Sequence, residues 1–242
     1  MIQGSNLLVF SAHAADFVWR GGGTIAKYIK GGAKVKLIIM SYGIRGESND
    51  LWKMPDQTYE QVKELRHNEV NKAAKIIGVE DIEFWDFKDY HMTIDDERME
   101  KIVKTIRNFR PDNILTHANG DAFNPDHELV SKSVFQASVL ANSAGVELDN
   151  LKVTTQQRLF GFEPHQTEIS NFKPEIFIDI TDTFEQKKKA MQCFEAQPHL
   201  INYYEERAKM RGNHARRISG NRDYKYAESF TRFFPHVGSE FI

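Results

Sequence analysis

The chain has 242 residues, a formal net charge of −2 and 40% hydrophobic residues, values that are ordinary for a globular protein. The near-neutral charge provides no broad basic surface, which argues against a nucleic-acid partner. No apolar run approaches the ~18 residues that a membrane-spanning helix needs, so we expect no membrane segment. Met1 leads straight into an apolar run, so we expect no signal peptide. The single cysteine, Cys193, excludes an intrachain disulfide and fits a reducing cytoplasm, and we expect it to pack in the core.

Short apolar runs alternate with helical patterns along the chain. The runs typical of buried strands are residues 7–10, 35–40, 82–85, 113–116, 158–162 and 176–180. The helical patterns cover residues 24–30, 57–77, 96–109, 127–141 and 182–194. This alternation predicts right-handed βαβ units, and therefore an α/β fold with a mostly parallel β-sheet flanked by helices. Because no repeat or low-complexity linker interrupts the chain, we expect a single domain over residues 1–242.

The last part of the chain, residues 195–242, differs in composition because it is rich in Arg, Tyr, Phe and His. Basic residues are concentrated at 211–222 and aromatic residues at 224–234. We interpret residues 195–242 as a C-terminal helical and aromatic arm, whose basic cluster is either a solvated surface or a subunit contact. A site for an anionic substrate is the alternative interpretation of that cluster, and we expect the aromatic residues to pack.

Two predicted loops carry candidate metal ligands. His13 and Asp16 follow the first predicted strand, and the glycines at 21–23 separate them from the next predicted helix. His127 follows the fourth predicted strand, and therefore lies at the same edge of a parallel sheet. Two imidazoles and one carboxylate, with an open position for water or substrate, are typical of catalytic zinc sites, although this set also accepts Fe, Mn or Co. Asp126 is the candidate for a carboxylate that orients one of the ligands.

These loops resemble the two signatures of the PIG-L/LmbE family of zinc-dependent deacetylases, A-H-P-D-D followed by Gly-Gly-Thr, and H-P-D-H. The likeness covers about the first 190 residues and extends to three further features: Gly-Gly-Thr at 22–24, the loop Arg45-Gly-Glu47 and the helix with Arg66-x-x-Glu69. The resemblance implies a Rossmann-like α/β single domain in which His13, Asp16 and His127 hold zinc. Because members of the family often form trimers or hexamers, it also implies a homo-oligomer.

Two residues depart from the family's signatures. Ala15 stands where the deacetylases have the aspartate that acts as general base, and an alanine methyl group cannot accept a proton. Asn124 stands where they have a histidine that helps to stabilise the oxyanion, and an amide cannot carry the charge of an imidazolium. Loss of a base costs ~10²–10⁴-fold in rate, and loss of an oxyanion donor costs ~10²–10³-fold. Efficient deacetylation by the family's mechanism is therefore not expected.

With Ala15 followed by Asp-Phe-Val-Trp-Arg, the first loop instead resembles the 4-oxalomesaconate hydratase subgroup of the family. That resemblance implies addition of water to the C=C bond of an unsaturated keto polyacid during aromatic-acid degradation, with Glu47 and His165 as the catalytic residues. Both residues follow predicted strands, so both can reach the same cleft. Hydration of an alkene conjugated to a carbonyl needs a Lewis acid, a base and an acid. Either Glu47 or His165 can be the base.

A polycarboxylate substrate also needs binding partners. Arg20 and Arg45 are candidates because a guanidinium can bind a carboxylate through two parallel hydrogen bonds, and a structural salt bridge is the alternative role for Arg20. Asn124 is a third candidate for substrate binding. We interpret His117 and Asp121 as residues that order their loop rather than as metal ligands.

The sequence thus leaves three hypotheses about function. The first is a cytoplasmic, metal-dependent hydratase with a small polycarboxylate substrate. The alternative is a zinc-dependent N-deacetylase that acts on an N-acetyl sugar or conjugate and uses another base in place of residue 15. A non-catalytic metal-binding relative is the third.

Overall fold

The computed structural model describes residues 2–239. Within these residues, seven strands form one sheet in the order β3-β2-β1-β4-β5-β7-β6. The strands are β1 (Asn6–Ser11), β2 (Lys34–Ile39), β3 (Asp81–Phe84), β4 (Asn113–His117), β5 (Arg158–Phe162), β6 (Ile176–Asp179) and β7 (Ala227–Arg232). Neighbouring strands are parallel from β3 through β5, whereas β7 is antiparallel to both β5 and β6. The predicted α/β fold with a mostly parallel sheet is confirmed.

Helices connect the strands and cover the sheet. Along the described part of the chain they are α1 (Asp16–Lys30), α2 (Asn49–Trp52), α3 (Tyr59–Ile77), α4 (Asp96–Phe109), α5 (Pro125–Asn142), α6 (Phe184–Met191) and α7 (Leu200–Ser219). Helices α4 and α5 pack against each other, while α1, α3 and α6 form a separate group. None of the helices among residues 2–239 is long and apolar enough to cross a membrane.

β1 is buried on both of its faces. Leu7 and Val9 belong to the apolar cluster that includes residues of α1 and α3, and Leu8 and Phe10 belong to the cluster with residues of α4 and α5. Successive side chains of a strand point to opposite faces, so a strand covered on both sides must be apolar throughout. β1 pairs with β2 on one side and with β4 on the other. The crevice where the chain order reverses, at the carboxyl ends of β1 and β4, is where open α/β sheets bind ligands.

Helix α1 begins earlier than the sequence pattern predicted. The predicted loop around Asp16 and the three glycines is helical, and Asp16 is its first residue. A glycine inside a helix costs about 1 kcal/mol relative to alanine, which is why the glycines indicated a loop. Close packing requires two of them here: a Cβ atom on Gly21 would lie 2.7 Å from the Phe162 ring, and one on Gly23 would lie 2.6 Å from Ile180.

The C-terminal segment was also interpreted wrongly, because part of it lies inside the fold. The predicted helical character is seen in α7, which packs on β7 and β6, but β7 is an inner strand between β5 and β6 rather than part of an arm. Arg211 of the basic cluster is buried and donates hydrogen bonds to Glu163, so it is neither a solvated residue nor free for a substrate. Cys193 follows the end of α6 and is half-buried against the core.

Candidate metal centre and active site

Three side chains from two loops form a compact triangle of potential ligand atoms. His13 Nδ1 lies 3.1 Å from His127 Nε2, and Asp16 Oδ2 lies 3.3 Å from each of these nitrogens. Ligand atoms at about 2.0–2.1 Å from a tetrahedral zinc ion lie about 3.3 Å from one another. All three side chains are buried, and His13, Asp16 and His127 together could hold a metal ion. The predicted ligand set is thus brought together in one place.

The local fold explains why these residues meet. His13 lies in the turn between β1 and α1, and its backbone N–H donates to Asp16 Oδ2 at the start of that helix. His127 lies in the first turn of α5, where Pro125 occupies a position at which its missing N–H costs nothing. Because β1 and β4 are parallel neighbours, both turns open at the same edge of the sheet.

Each histidine of the triangle is oriented by a carboxylate at its other ring nitrogen. His13 Nε2 lies 3.1 Å from Asp126 Oδ2, and His127 Nδ1 lies 2.9 Å from Asp121 Oδ2. Metal-binding histidines usually have such a partner, which fixes the tautomer and the ring orientation. Asp126 therefore lies where the sequence analysis expected it. Asp121 has the same relation to His127, a more specific role than ordering its loop.

Charge also favours a cation at this centre. Four carboxylates surround the two imidazoles, namely Asp16, Glu47, Asp121 and Asp126. Burial opposes ionisation of Asp16, but the imidazoles of His127 and His117 hold its pKa well below the usual value. Burial similarly opposes ionisation of Asp121, but the hydrogen bond with His127 and the charge of Arg20 lower its pKa to about 2.

Arg20 and His117 contact the potential metal ligands and hold them in position. Arg20 is buried, and its N–H groups point to Asp16 Oδ1, Asp121 Oδ2 and the carbonyl of Glu163. These contacts favour the structural salt bridge over substrate binding. His117 stacks on His127 with ring centroids 4.0 Å apart, and its Nε2 accepts a hydrogen bond from the Ala12 N–H. His117 therefore holds the turn after β1.

Glu47 lies beside the metal triangle. Its Oε1 is 3.5 Å from His13 Nδ1 and accepts a hydrogen bond from Asn124 Nδ2 at 3.1 Å. Its Oε2 accepts a hydrogen bond from Gln197 Nε2 at 2.9 Å. The loop after β2 thus brings a carboxylate to the centre, as the sequence analysis expected. Arg45 of the same loop is exposed, and its backbone N–H donates to Asp89.

His165 lies in the loop after β5 and is held by α7. Tyr204 Oη is 3.0 Å from His165 Nδ1, and the carbonyl of His165 accepts hydrogen bonds from Tyr203 and Arg207. Burial, together with the charge of Arg20, lowers the pKa of His165 well below its usual value. His165 is therefore neutral at physiological pH.

Three residues near the centre were not predicted from the sequence, namely Tyr90, Gln197 and Tyr204. The backbone N–H of Tyr90 donates to Asp126 Oδ2 at 2.7 Å, and its ring lies 6.3 Å from that of His13. Tyr90 has a φ of 61°, and a Cβ atom on Gly46 would clash with its ring. In the sequence, the glycine between the candidate residues Arg45 and Glu47 was the one indication that another side chain approaches this loop closely. Gln197 and Tyr204 belong to no motif, so the pattern offered nothing to identify them.

The chain is similar to proteins of a known family. A family model described as PIG-L, GlcNAc-PI de-N-acetylase, matches residues 8–138, a range that includes all three potential ligands. The chain belongs to the PIG-L family. The predicted family membership is thereby confirmed.

Among PIG-L relatives, 4-oxalmesaconate hydratase of Pseudomonas putida strain KT2440 is 37% identical over 95% of this chain and 90% of its own length. The crystal structure of GalB, the 4-carboxy-2-hydroxymuconate hydratase of P. putida KT2440, has a TM-score of 0.94 at 36% identity, covering 98% of this chain and 100% of that one. Diacetylchitobiose deacetylase of Thermococcus kodakarensis is 26% identical over 96% of this chain and 84% of its length. The resemblance to the hydratase subgroup is confirmed.

Proposed function

We propose that the protein is a metal-dependent hydratase that adds water to the C=C bond of 4-oxalomesaconate or its enol tautomer, in the degradation of aromatic acids. Full-length likeness to 4-oxalmesaconate hydratase and to the crystal structure of GalB, both from P. putida KT2440, supports this proposal. The two substrate names denote the keto and enol forms of one unsaturated tricarboxylic acid, and therefore one substrate class.

The observation that carries the proposal is the position of the available base. Residue 15 is a fully buried alanine within the apolar core, whereas the carboxylate of Glu47 lies 3.5 Å from His13 on the metal triangle. The carboxylate available as a base thus comes from the loop after β2 and not from residue 15, where the deacetylases have theirs. This difference supports a reaction other than amide hydrolysis.

His13, Asp16 and His127 would hold the metal, which as a Lewis acid would polarise the oxygens of the substrate. Glu47 takes a proton from a water molecule while the oxygen of that water forms a bond to one carbon of the double bond. The π electrons move toward the conjugated carbonyl, where the neutral His165 donates a hydrogen bond to the oxygen that gains charge. Glu47 returns its proton to the other carbon, which completes the addition of one water molecule.

Asn124 and Arg45 are the proposed substrate-binding residues. Asn124 is nearly buried, and its Oδ1 has no hydrogen-bond partner among residues 2–239, so it can accept one from a substrate. The exposed guanidinium of Arg45 suits a carboxylate at the mouth of the site.

The test is hydration of 4-oxalomesaconate, followed as loss of ultraviolet absorbance. We expect turnover by the zinc-loaded protein, loss of turnover with a chelator, and a fall of ~10²–10⁴-fold for Glu47→Gln because the base is removed. Glu64→Gln, which changes an exposed glutamate on α3, is the matched control and should retain activity. Unchanged absorbance with the metal-loaded protein contradicts the proposal.

The same preparation separates the alternatives. Release of amine from N,N′-diacetylchitobiose or N-acetylglucosamine, without hydration, would assign the protein to the deacetylases. Metal binding without either reaction would indicate a non-catalytic relative.

We further propose zinc as the metal, the cytoplasm as the compartment and a homo-oligomer, a trimer or hexamer, as the assembly. The His₂-Asp donor set supports zinc, and the lack of a second cysteine supports a reducing compartment. Metal analysis of protein purified without added metal tests the proposal of zinc. Light scattering of the purified protein in solution tests the proposed trimer or hexamer.

A further inference from the structure

We propose that Trp19 of α1 positions both proposed catalytic side chains, Glu47 through Gln197 and His165 through Tyr204. This inference rests on the proposed hydratase function. Trp19 is almost fully buried, and it lies between the loop that precedes α7 and the first turns of α7. Core packing is the simplest role of such a tryptophan. Here, however, a hydrogen bond leads from Trp19 through Gln197 to Glu47, and a stacked ring leads through Tyr204 to His165.

The first connection runs through an amide with a fixed orientation. Trp19 Nε1 donates to Gln197 Oε1 at 3.3 Å, and Gln197 Nε2 donates to Glu47 Oε2 at 2.9 Å. An indole nitrogen can only donate and an ionised carboxylate can only accept, so both neighbours demand the same orientation of the Gln197 amide. Asn124 holds the other carboxylate oxygen, Oε1. Glu47 is therefore clamped between two amides, one of which depends on Trp19.

A buried ion pair ties the two loops of this connection together. Arg66 donates to the carbonyl of Tyr42, in the loop that carries Glu47, and to Glu69 at 2.7 Å. Glu69 in turn accepts a hydrogen bond from the backbone N–H of Ala196, next to Gln197. Arg66 and Glu69 thus hold the loop that carries Glu47 against the loop that carries Gln197, which keeps the two side chains close together.

The second connection fixes the tautomer of His165. The Trp19 ring stacks on that of Tyr204, with centroids 5.5 Å apart and an interplanar angle of 18°. Tyr204 Oη lies 3.0 Å from His165 Nδ1, and this nitrogen is the hydrogen-bond partner of the Tyr204 hydroxyl among residues 2–239. If the hydroxyl oxygen accepted a hydrogen bond from Nδ1–H, the hydroxyl's own buried hydrogen would have no acceptor, at a cost in free energy. Tyr204 therefore donates, so the neutral imidazole carries its hydrogen on Nε2, as a hydrogen-bond donor to substrate requires.

The position of Trp19 in α1 connects these supports to the metal site. Asp16 begins the same helix, three residues before Trp19. One helix therefore sets a potential metal ligand and, at its next turn, the supports of Glu47 and His165. α1 therefore contributes to the placement of the metal, the base and the hydrogen-bond donor alike.

Kinetics of Trp19→Phe test the first connection, because phenylalanine keeps the aromatic contact but lacks the N–H group. We expect kcat to fall roughly five- to tenfold, the value of one hydrogen bond, with KM changed less than twofold. In a Gln197→Ala background the same change should be neutral, since the effect passes through that amide. The matched control is Trp85→Phe, which removes a buried indole hydrogen bond to Glu83 away from the centre and should leave kcat unchanged. An equal loss from Trp19→Phe with and without Gln197 would overturn the connection.

Nitrogen NMR of His165 tests the second connection and does not need catalytic activity. In the wild-type protein the ¹⁵N shifts should report hydrogen on Nε2 alone, and in Tyr204→Phe a mixture of both tautomers. Hydrogen on Nδ1 in the wild type overturns the assignment. Because this readout is independent of turnover, a protein that fails to hydrate 4-oxalomesaconate can still confirm or refute the positioning role of Tyr204.

Discussion

Asp126 contacts a potential metal ligand rather than the metal position itself. Asp126 accepts from the backbone of Tyr90 and contacts His13 Nε2, so it fixes which ring nitrogen faces the triangle. We expect Asp126→Asn to weaken zinc binding 10–100-fold, as loss of an orienting carboxylate does elsewhere. Competition with a chromophoric chelator measures the change.

The control for this substitution is Asp56→Asn. Asp56 has a φ of 59°, a conformation that asparagine adopts easily, and it lies on an exposed loop away from the site. Equal zinc affinity of Asp126→Asn and the wild type would show that Asp126 does not orient the ligand.

Glu163 illustrates a residue that serves stability. Burial by itself raises the pKa of Glu163, but hydrogen bonds from Arg211 and the charge of Arg207 hold it below the usual value. A carboxyl with a lowered pKa in the folded state contributes its full stability above the unfolded value of about 4.3, and loses it as the pH falls through the folded value. We expect Glu163→Gln to lower the free energy of unfolding by about 3–5 kcal/mol at pH 7, because it leaves the buried Arg211 without its charged partner.

Urea unfolding over a pH series measures this effect. The difference between Glu163→Gln and the wild type should begin to shrink as the pH falls below the unfolded pKa of about 4.3, and should be lost as the pH falls through the lower folded pKa, where the wild-type carboxyl also becomes neutral. A difference that stays constant with pH would mean that the substitution acts through packing rather than charge.

The meeting of the potential ligands could be expected from the sequence because each lies close to the end of a predicted parallel strand. His13 and Asp16 are three residues apart, and a short loop links β4 to Asp126 and His127. The supports could not be predicted in this way, because Trp19 and Gln197 are separated by 178 residues and meet only in the folded chain. No periodicity or motif carries that information.

At the scale of elements, α1 shows tertiary packing overriding local preference. Gly23 lies against Ile180, whose Cβ and Cγ2 atoms would be 2.9 Å from a new Cβ, so this neighbour cannot yield cheaply. We expect Gly23→Ala to lower the free energy of unfolding by about 1–3 kcal/mol, despite the better helix propensity of alanine. Denaturant unfolding gives the value.

Gly22 provides the matched control within the same turn. A Cβ there would meet the flexible end of Ile77 at 3.3 Å, so Gly22→Ala should be nearly neutral or stabilising. Equal losses at both positions would indicate that helix α1 needs glycine for its backbone conformation rather than for close packing.

Elements with a clear apolar period were predicted to within a few residues, as α4 shows: its predicted and observed bounds agree. The failures were the start of α1 and the strand β7. α7 was predicted only as part of a helical arm without bounds, because its surface is mixed and Arg211 and Gly212 face the fold. β7, Ala227–Arg232, contains Glu228 and Ser229, whose partners lie on distant elements.

At the scale of the whole molecule, metal binding should be visible as stability. A ligand at 100 times its Kd adds about 2.7 kcal/mol to the folded state, which for a chain of this length raises Tm by about 5–10 °C. We expect this rise when zinc is added to chelator-treated protein, measured by thermal unfolding. His127→Ala should abolish it, and an equal rise in that variant would place the metal elsewhere.

The position of β7 inside the sheet has a consequence for how the chain reaches its native state. β6 leaves the ribosome before its partner exists, and β5 keeps one open side until residues 227–232 have been made. The sheet can therefore close only after residues 227–232 have been made, and folding depends on long-range pairing that is slow to form. A chain cut short before β7 would expose two strand edges, which are templates for aggregation. The solubility of truncated chains would thus depend on whether this single strand is present.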